Sequence, residues 1–361
     1  MNYVNYERVF QNLVSILLFS SVILYTSCSK NEDSNDDRNP VKIAKKHDIA
    51  LLLCSFGSTY EQPQVTYDSI VADYQKAFPN ADIYVSFTSR TIVSRVYAKI
   101  GEAFAQPDLW LKAIGEAGYS TVYVQSLHVI PGEEYLSLMN TDVKKNFMIP
   151  FANVKVAKSA CLLESEEDVE ALANVLYTYY KSRLDKGEVV ALMGHGNPDS
   201  EYNHANEKYD LLEAKLQTLS GKQNIFVGTV DWGDKMFSHV RDGIKAFAAK
   251  NGKTYSQVVV NLSPLMSIAG DHAQNDLLGD LEEGQTMVDV NPDEDDWEAG
   301  FSWKLKLQKL GFSISSEGTV TDPASFNVIG LGDHKAIRAI WLKHMQEAAP
   351  NAESWNEHLG E

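Results

Sequence analysis

The residues able to do chemistry gather where apolar runs end. Val258-Val259-Val260 leads through Pro264 and Met266-Ser267-Ile268-Ala269 into Gly270-Asp271-His272, a histidine beside a carboxylate. A second run, Glu188 to Met193, ends in Gly194-His195-Gly196. A third, Ile225 to Val230, ends in Asp231, and a fourth, Thr121 to Leu127, ends in His128 and then Pro131-Gly132-Glu133-Glu134. Ligand and catalytic groups of open α/β sheets sit at the carboxyl ends of strands, where loops meet. Two histidines and a carboxylate arriving from separate strand ends form a reasonable ligand set for a divalent metal, and imidazole suits cobalt, nickel, iron and zinc. The glycines around His195 let the backbone turn sharply and leave the ring open on one side. An open coordination position is what a catalytic or metal-transferring site requires.

Plainer readings stand beside these. A lone histidine is commonly a hydrogen-bonded structural residue, and the apolar neighbours of His128 favour that for it. Glu133 and Glu134 also fit a helix start, where acids are favoured in the first turn. Asp293, Glu294, Asp295 and Asp296 fit a solvated loop, and His204 fits a helix cap. Nucleotide motifs are missing: no G-x-x-x-x-G-K-[ST] loop is present, and no G-x-G-x-x-G follows the first apolar run. There is no G-x-S-x-G elbow and no cysteine pair at zinc spacing.

The elements that must hold these loops alternate. Strands are expected over 49–54, 81–87, 121–127 and 154–157, then over 188–193, 225–230, 258–262 and 325–329. Helices are expected over 68–77, 92–100, 108–117, 165–185, 205–219, 237–250, 297–310 and 334–349. Continuous apolar runs of strand length suit parallel strands covered on both faces. Helices between strands imply right-handed crossovers. The expected fold is α/β, with two Rossmann-like, doubly wound parallel-sheet domains facing a cleft. The boundaries fall at 46–186 for the first domain and 187–325 for the second. Residues 326–361 form a last strand and a C-terminal helix able to pack back on the first.

The chain has 361 residues, 44% apolar and 22% charged, which gives ample material for such a core. Its formal net charge of −17 argues against nucleic acid or an anionic membrane surface as a partner. Acidity of this kind also serves plain solubility. Arg8 precedes an apolar run from Leu13 to Tyr25, then Thr26-Ser27-Cys28. The run fits a signal-peptide core over residues 1–27 better than a membrane span, although a single anchor helix is the plain alternative. The small residues before Cys28 resemble a bacterial lipobox, which makes Cys28 the lipidated first residue of an exported protein. Residues 28–45 then read as a flexible acidic tether. The expected location is the cell envelope, at the periplasmic face or on the outer surface of the outer membrane. Cys54 and Cys161 lie in apolar runs and read as core thiols, so no disulfide framework is required.

Several segments together resemble one family. They are Leu53-Cys54-Ser55-Phe56-Gly57-Ser58-Thr59-Tyr60, Phe87-Thr88-Ser89-Arg90, Leu127-His128-Val129-Ile130-Pro131-Gly132-Glu133-Glu134-Tyr135, Met193-Gly194-His195-Gly196, and Pro264-Leu265-Met266 with Gly270-Asp271-His272-Ala273 and Asn275-Asp276. The set is similar to the anaerobic-type sirohydrochlorin cobaltochelatases, which are class II chelatases, and runs in order from residue 46 to the C-terminus. The resemblance implies a tetrapyrrole cleft between two domains, no nucleotide, and insertion of Co2+ into sirohydrochlorin with release of two protons. Fe2+, Ni2+ and Zn2+ are further substrate metals it admits. The family's metal-binding histidines carry over to His195 and His272, and its cleft glutamate to Glu134. These three are the implied catalytic groups. The third metal carboxylate, usually glutamate, carries over to Asp231, one methylene shorter. Ser55, Phe56, Gly57, Ser89, Arg90, Glu133, Gly194, Gly196 and Met266 carry over as macrocycle-binding positions. The acidic excursion after Asp280 and the lipid anchor depart from the family pattern. Three other readings use the same cleft: a non-catalytic haem or tetrapyrrole binder, a protein that removes metal from scavenged tetrapyrrole, and a solute-binding lipoprotein of unrelated ligand. The residues leave the oligomeric state open.

Overall fold

A computed structural model describes residues 41, 43–60, 62–100, 104–295, 300–315, 321–322 and 327–358. The expected leader, Cys28 and most of the tether lie outside the described residues.

Two four-stranded parallel sheets are built in succession. The first uses β1 (Ile49–Ser55), β2 (Ala81–Phe87), β3 (Thr121–Ser126) and β4 (Lys155–Lys158), in the order β2-β1-β3-β4. The second uses β5 (Val189–Gly194), β6 (Ile225–Thr229), β7 (Val259–Pro264) and β8 (Ser313–Ile314), in the order β6-β5-β7-β8. Every pairing within these two sheets is parallel. The same winding is therefore used twice.

Side chains alternate across each strand, and the burial follows that period. Leu51 and Leu53 of β1 join one core with Val190 and Leu192 of β5, while Ala50, Leu52 and Cys54 face an outer layer. Val189, Ala191 and Met193 of β5 face a second outer layer. The shared inner core is filled by helices Gln62–Ala77, Glu166–Asp185, Asn203–Ser220 and Lys335–Ala348. Residue 186 thus marks a change of sheet and not a break between separate cores. Helix Glu166–Asp185 opens with a full capping box: Ser165 accepts from the Asp168 backbone, and Asp168 accepts from the Ser165 backbone. Fully buried Trp341 of helix Lys335–Ala348 seats that helix in the core, where it meets β3 and β4.

Three expectations are corrected. The fourth strand of the second sheet is β8, not the segment at 325–329. Of that segment, Asn327–Val328 (β10) pairs antiparallel with Thr321–Asp322 (β9) in a separate ladder, and residues 325–326 lie outside the described set. The helix expected from residue 68 begins at Gln62, because Pro63 is tolerated in a first turn. The helix expected over 297–310 is described as Trp303–Leu310, opened by Ser302, whose hydroxyl accepts from the Leu305 backbone.

Candidate chelation site

Winding order decides where the site lies. In each sheet the chain starts in the second position, moves out to one edge, then crosses to the other side. The crevice therefore opens between the carboxyl ends of β1 and β3, and of β5 and β7. The loop after β1 carries Phe56, and the loop after β3 carries Glu134. His195 follows β5 at once, and His272 follows β7. The four groups leave the four strands that flank the two crevices.

The structure brings His195 and His272 together, with ring centroids 4.9 Å apart and planes at 80°. The Phe56 ring is 6.0 Å from that of His195. His195 Nδ1 lies 2.9 Å from the Gly196 carbonyl oxygen. A carbonyl only accepts, so Nδ1 carries the proton and Nε2 keeps its lone pair. His272 Nδ1 lies 2.6 Å from Asp276 Oδ2, an acceptor, so Nδ1 carries a proton there too. Burial, followed by the neighbouring His272, pushes the His195 imidazole below its ordinary value, against the Gly196 carbonyl and the Asp231 and Asp276 charges. His195 is therefore neutral near pH 7.

Gly196 is required by geometry. Its φ is +83°, and a Cβ there would sit 2.9 Å from the Trp232 backbone nitrogen. The tight turn lets the Val230 and Asp231 backbone amides donate to the His195 carbonyl at 3.0 and 2.9 Å. Asp231 is thereby fixed beside His195, with Oδ2 4.0 Å from Nδ1. It stands on the Nδ1 side of the ring, not on the lone-pair side. Among the described residues no group of three or more His, Cys, Asp or Glu side chains is gathered tightly enough to hold an ion. Of the expected ligands, His195 and His272 stand as a ring pair, and the Asp231 carboxylate lies beside His195.

From the first sheet, Glu134 sits in the opening turn of helix Glu133–Leu136, which continues into a π-helix, Ser137–Met148. Crowding by protein on one side pushes its carboxyl above the ordinary value, and Glu133 adds to this against a hydrogen bond with Thr88. Glu133 and Glu134 are both exposed at the surface. His128 is structural: its ring meets Ser126 Oγ at 2.9 Å, and burial pushes it down to about 4.

The expected macrocycle positions separate into two kinds. Phe56, Ser89 and Met266 are half-buried, and Arg90 is exposed at the start of helix Arg90–Ile100. Ser55, Gly57, Gly194 and Gly196 are buried. The Ser55 hydroxyl meets the Tyr67 hydroxyl at 2.9 Å, which helps to hold the loop after β1. Three further residues make contacts at the site: Asp276, Thr59 and Asn197. Thr59 Oγ1 donates to Asp271 Oδ1 at 3.0 Å, joining the β1 loop to the β7 loop next to His272. The i, i+4 spacing of His272 and Asp276 was the available signal for Asp276. Thr59 and Asn197 act through tertiary contacts that leave no local pattern.

Comparison with known proteins places the chain in a family. A family model described as cobalt chelatase (CbiK) matches residues 49–350. The sirohydrochlorin cobaltochelatase of Salmonella typhimurium is 28% identical over 303 residues, covering 83% of this chain and 96% of that protein. The sirohydrochlorin cobaltochelatase CbiKC of Nitratidesulfovibrio vulgaris is 26% identical over 319 residues, covering 88% of this chain and 95% of that protein. Among solved structures, SirB from Bacillus subtilis with Fe3+ aligns with a TM-score of 0.47 and 14% identity, over 84% of this chain and 96% of that one. With the family model spanning both sheets and all four cleft loops, this chain belongs to the cobalt chelatase (CbiK) family.

Proposed function

We propose that this protein inserts Co2+ into sirohydrochlorin without nucleotide hydrolysis. The reaction replaces two pyrrole N–H bonds by cobalt–nitrogen bonds and releases two protons. Its demands are a metal held loosely enough to leave and a base for the protons. One observation carries the reading: two histidine rings from separate strand ends stand 4.9 Å apart, each with Nδ1 committed to a protein acceptor. Imidazole nitrogens are suitable ligands for a divalent ion of this kind. Two ligands without a closed shell hold it less tightly than a structural site would. Glu134, at the carboxyl end of the first sheet, supplies a carboxylate to take a pyrrole proton. Phe56 offers an apolar face to the ring beside His195. The test is anaerobic insertion kinetics with sirohydrochlorin and Co2+, Fe2+, Ni2+ or Zn2+. His195→Ala and His272→Ala are each expected to lower the cobalt rate by about 100-fold or more. Near-wild-type rates in both would overturn the assignment.

We infer separately, from the apolar run and Cys28, that the chain is exported and tethered to the cell envelope by a lipid on Cys28.

A further inference from the structure

Asn197 lies two residues beyond His195 and is 8% exposed. Its Oδ1 accepts the Glu133 backbone N–H at 3.1 Å, across from the second sheet to the first. Its backbone N–H donates to Asn206 Oδ1 at 2.9 Å, and its Nδ2 reaches the same oxygen at 3.2 Å. Asn206 Nδ2 returns a bond to the Asn197 carbonyl at 2.9 Å. Asn206 is fully buried on helix Asn203–Ser220. One side chain therefore ties three things together: the loop of His195, that helix, and the helical turn that carries Glu134. The fit is close on the far side too. A Cβ on Gly132 would sit 2.5 Å from Asn197 Nδ2 and 2.8 Å from Oδ1. Because Asn206 holds Asn197 by both backbone and side chain, Asn197 has no room to swing aside. This gives the Pro131-Gly132-Glu133-Glu134 segment its need for glycine.

We propose that Asn197 is a positioning residue that sets the span between the metal-holding His195 and the proton-accepting Glu134. The proposal rests on the chelatase reading. The two groups act on the same macrocycle from different sheets, and a misplacement of about 1 Å in such a site can cost on the order of 100-fold in rate. The residue type follows from the task. Asparagine accepts from Glu133 and donates to Asn206 at once. Aspartate would accept but would set a second acceptor against Asn206 Oδ1. Alanine does neither.

The test uses the full chain, with two readouts. Co2+ titrated alone reports the histidine pair, and insertion into sirohydrochlorin reports the assembled cleft. Asn197→Ala is expected to leave Co2+ affinity within about two-fold and to lower kcat by about ten-fold or more, the size usual for residues that orient a metal site. Asn197→Ser keeps a hydroxyl at the position and carries the test if the alanine variant does not fold. Gly132→Ala is expected to lower kcat by its clash with Asn197. In the double variant Gly132→Ala/Asn197→Ala the clash partner is gone, so the combined loss is expected to be no larger than that of Asn197→Ala alone. Insertion by the wild type together with a kcat within about two-fold for the Asn197 variants, or multiplicative losses in the double variant, would overturn this proposal alone. A wild-type chain that inserts no cobalt would overturn the chelatase reading and this proposal with it.

Discussion

Replacing Asp276 tests how His272 is made ready for metal. Asp276 Oδ2 lies 2.6 Å from His272 Nδ1, and the two side chains are only 20% and 19% exposed. A hydrogen bond to a charged acceptor contributes about 1.5–3 kcal/mol, and a neutral one about half of that. Asp276→Asn keeps the shape and loses the charge, a loss of roughly 1–1.5 kcal/mol, or about ten-fold in an equilibrium constant. An amide also donates, so it admits the ring form with hydrogen on Nε2, which has no lone pair for metal. Co2+ affinity is therefore expected to fall about ten-fold in Asp276→Asn and by 10- to 100-fold in Asp276→Ala, roughly the range for carboxylates behind metal-bound histidines. The assay is optical or calorimetric titration of the protein with Co2+ under anaerobic conditions, followed by insertion kinetics. Both variants within about two-fold of wild type in both assays would refute the argument that this carboxylate fixes the ring.

Other expectations follow from single contacts. Extending the carboxylate beside His195 by one methylene, in Asp231→Glu, is expected to tighten Co2+ binding several-fold, because the present side chain stops on the Nδ1 side at 4.0 Å; titration showing weaker binding would contradict that geometry. Asp82 carries a pH dependence. Burial raises its carboxyl, but the Tyr119 hydroxyl at 2.6 Å, the Lys46 and His47 backbone amides at 2.8 and 3.0 Å, and the His47 ring at 2.7 Å outweigh it and leave the group well below its usual range. A depressed folded-state value means stability that is present above about pH 4 and lost as the pH falls further. Asp82→Asn is expected to cost about 1–3 kcal/mol near neutral pH, with the gap to wild type closing toward pH 2 in denaturant titrations; a constant gap would contradict the argument. Cys28→Ser is expected to abolish fatty-acid labelling of the protein in cells and to release it from the membrane fraction. Unchanged labelling would remove the lipid anchor from the account.

Much of the architecture is legible in the chain because buried parallel strands need continuous apolar runs. Strand β2 and helix Phe237–Lys250 stand at the positions their patterns imply. β8 is two residues long, too short for any run to show. The π-helix Ser137–Met148 escapes because its buried residues Leu138, Met139, Val143, Phe147 and Met148 are compatible with either helical period. The histidines of the site are legible because glycines and strand ends surround them. Their ring states are not, because these depend on a carbonyl and on Asp276. Asn197 and Thr59 leave no trace in the sequence, since their partners lie 64 and 212 residues away in the chain.

Metal insertion at the paired His195 and His272 rings is the step to be measured. Its most direct measurement is an anaerobic absorption assay of the purified protein with sirohydrochlorin and Co2+, run without ATP beside a His195→Ala/His272→Ala control. The expected result is conversion of the metal-free spectrum to that of cobalt-sirohydrochlorin at a rate that depends on wild-type protein and not on the control. Equal rates with wild type, control and no protein would contradict it.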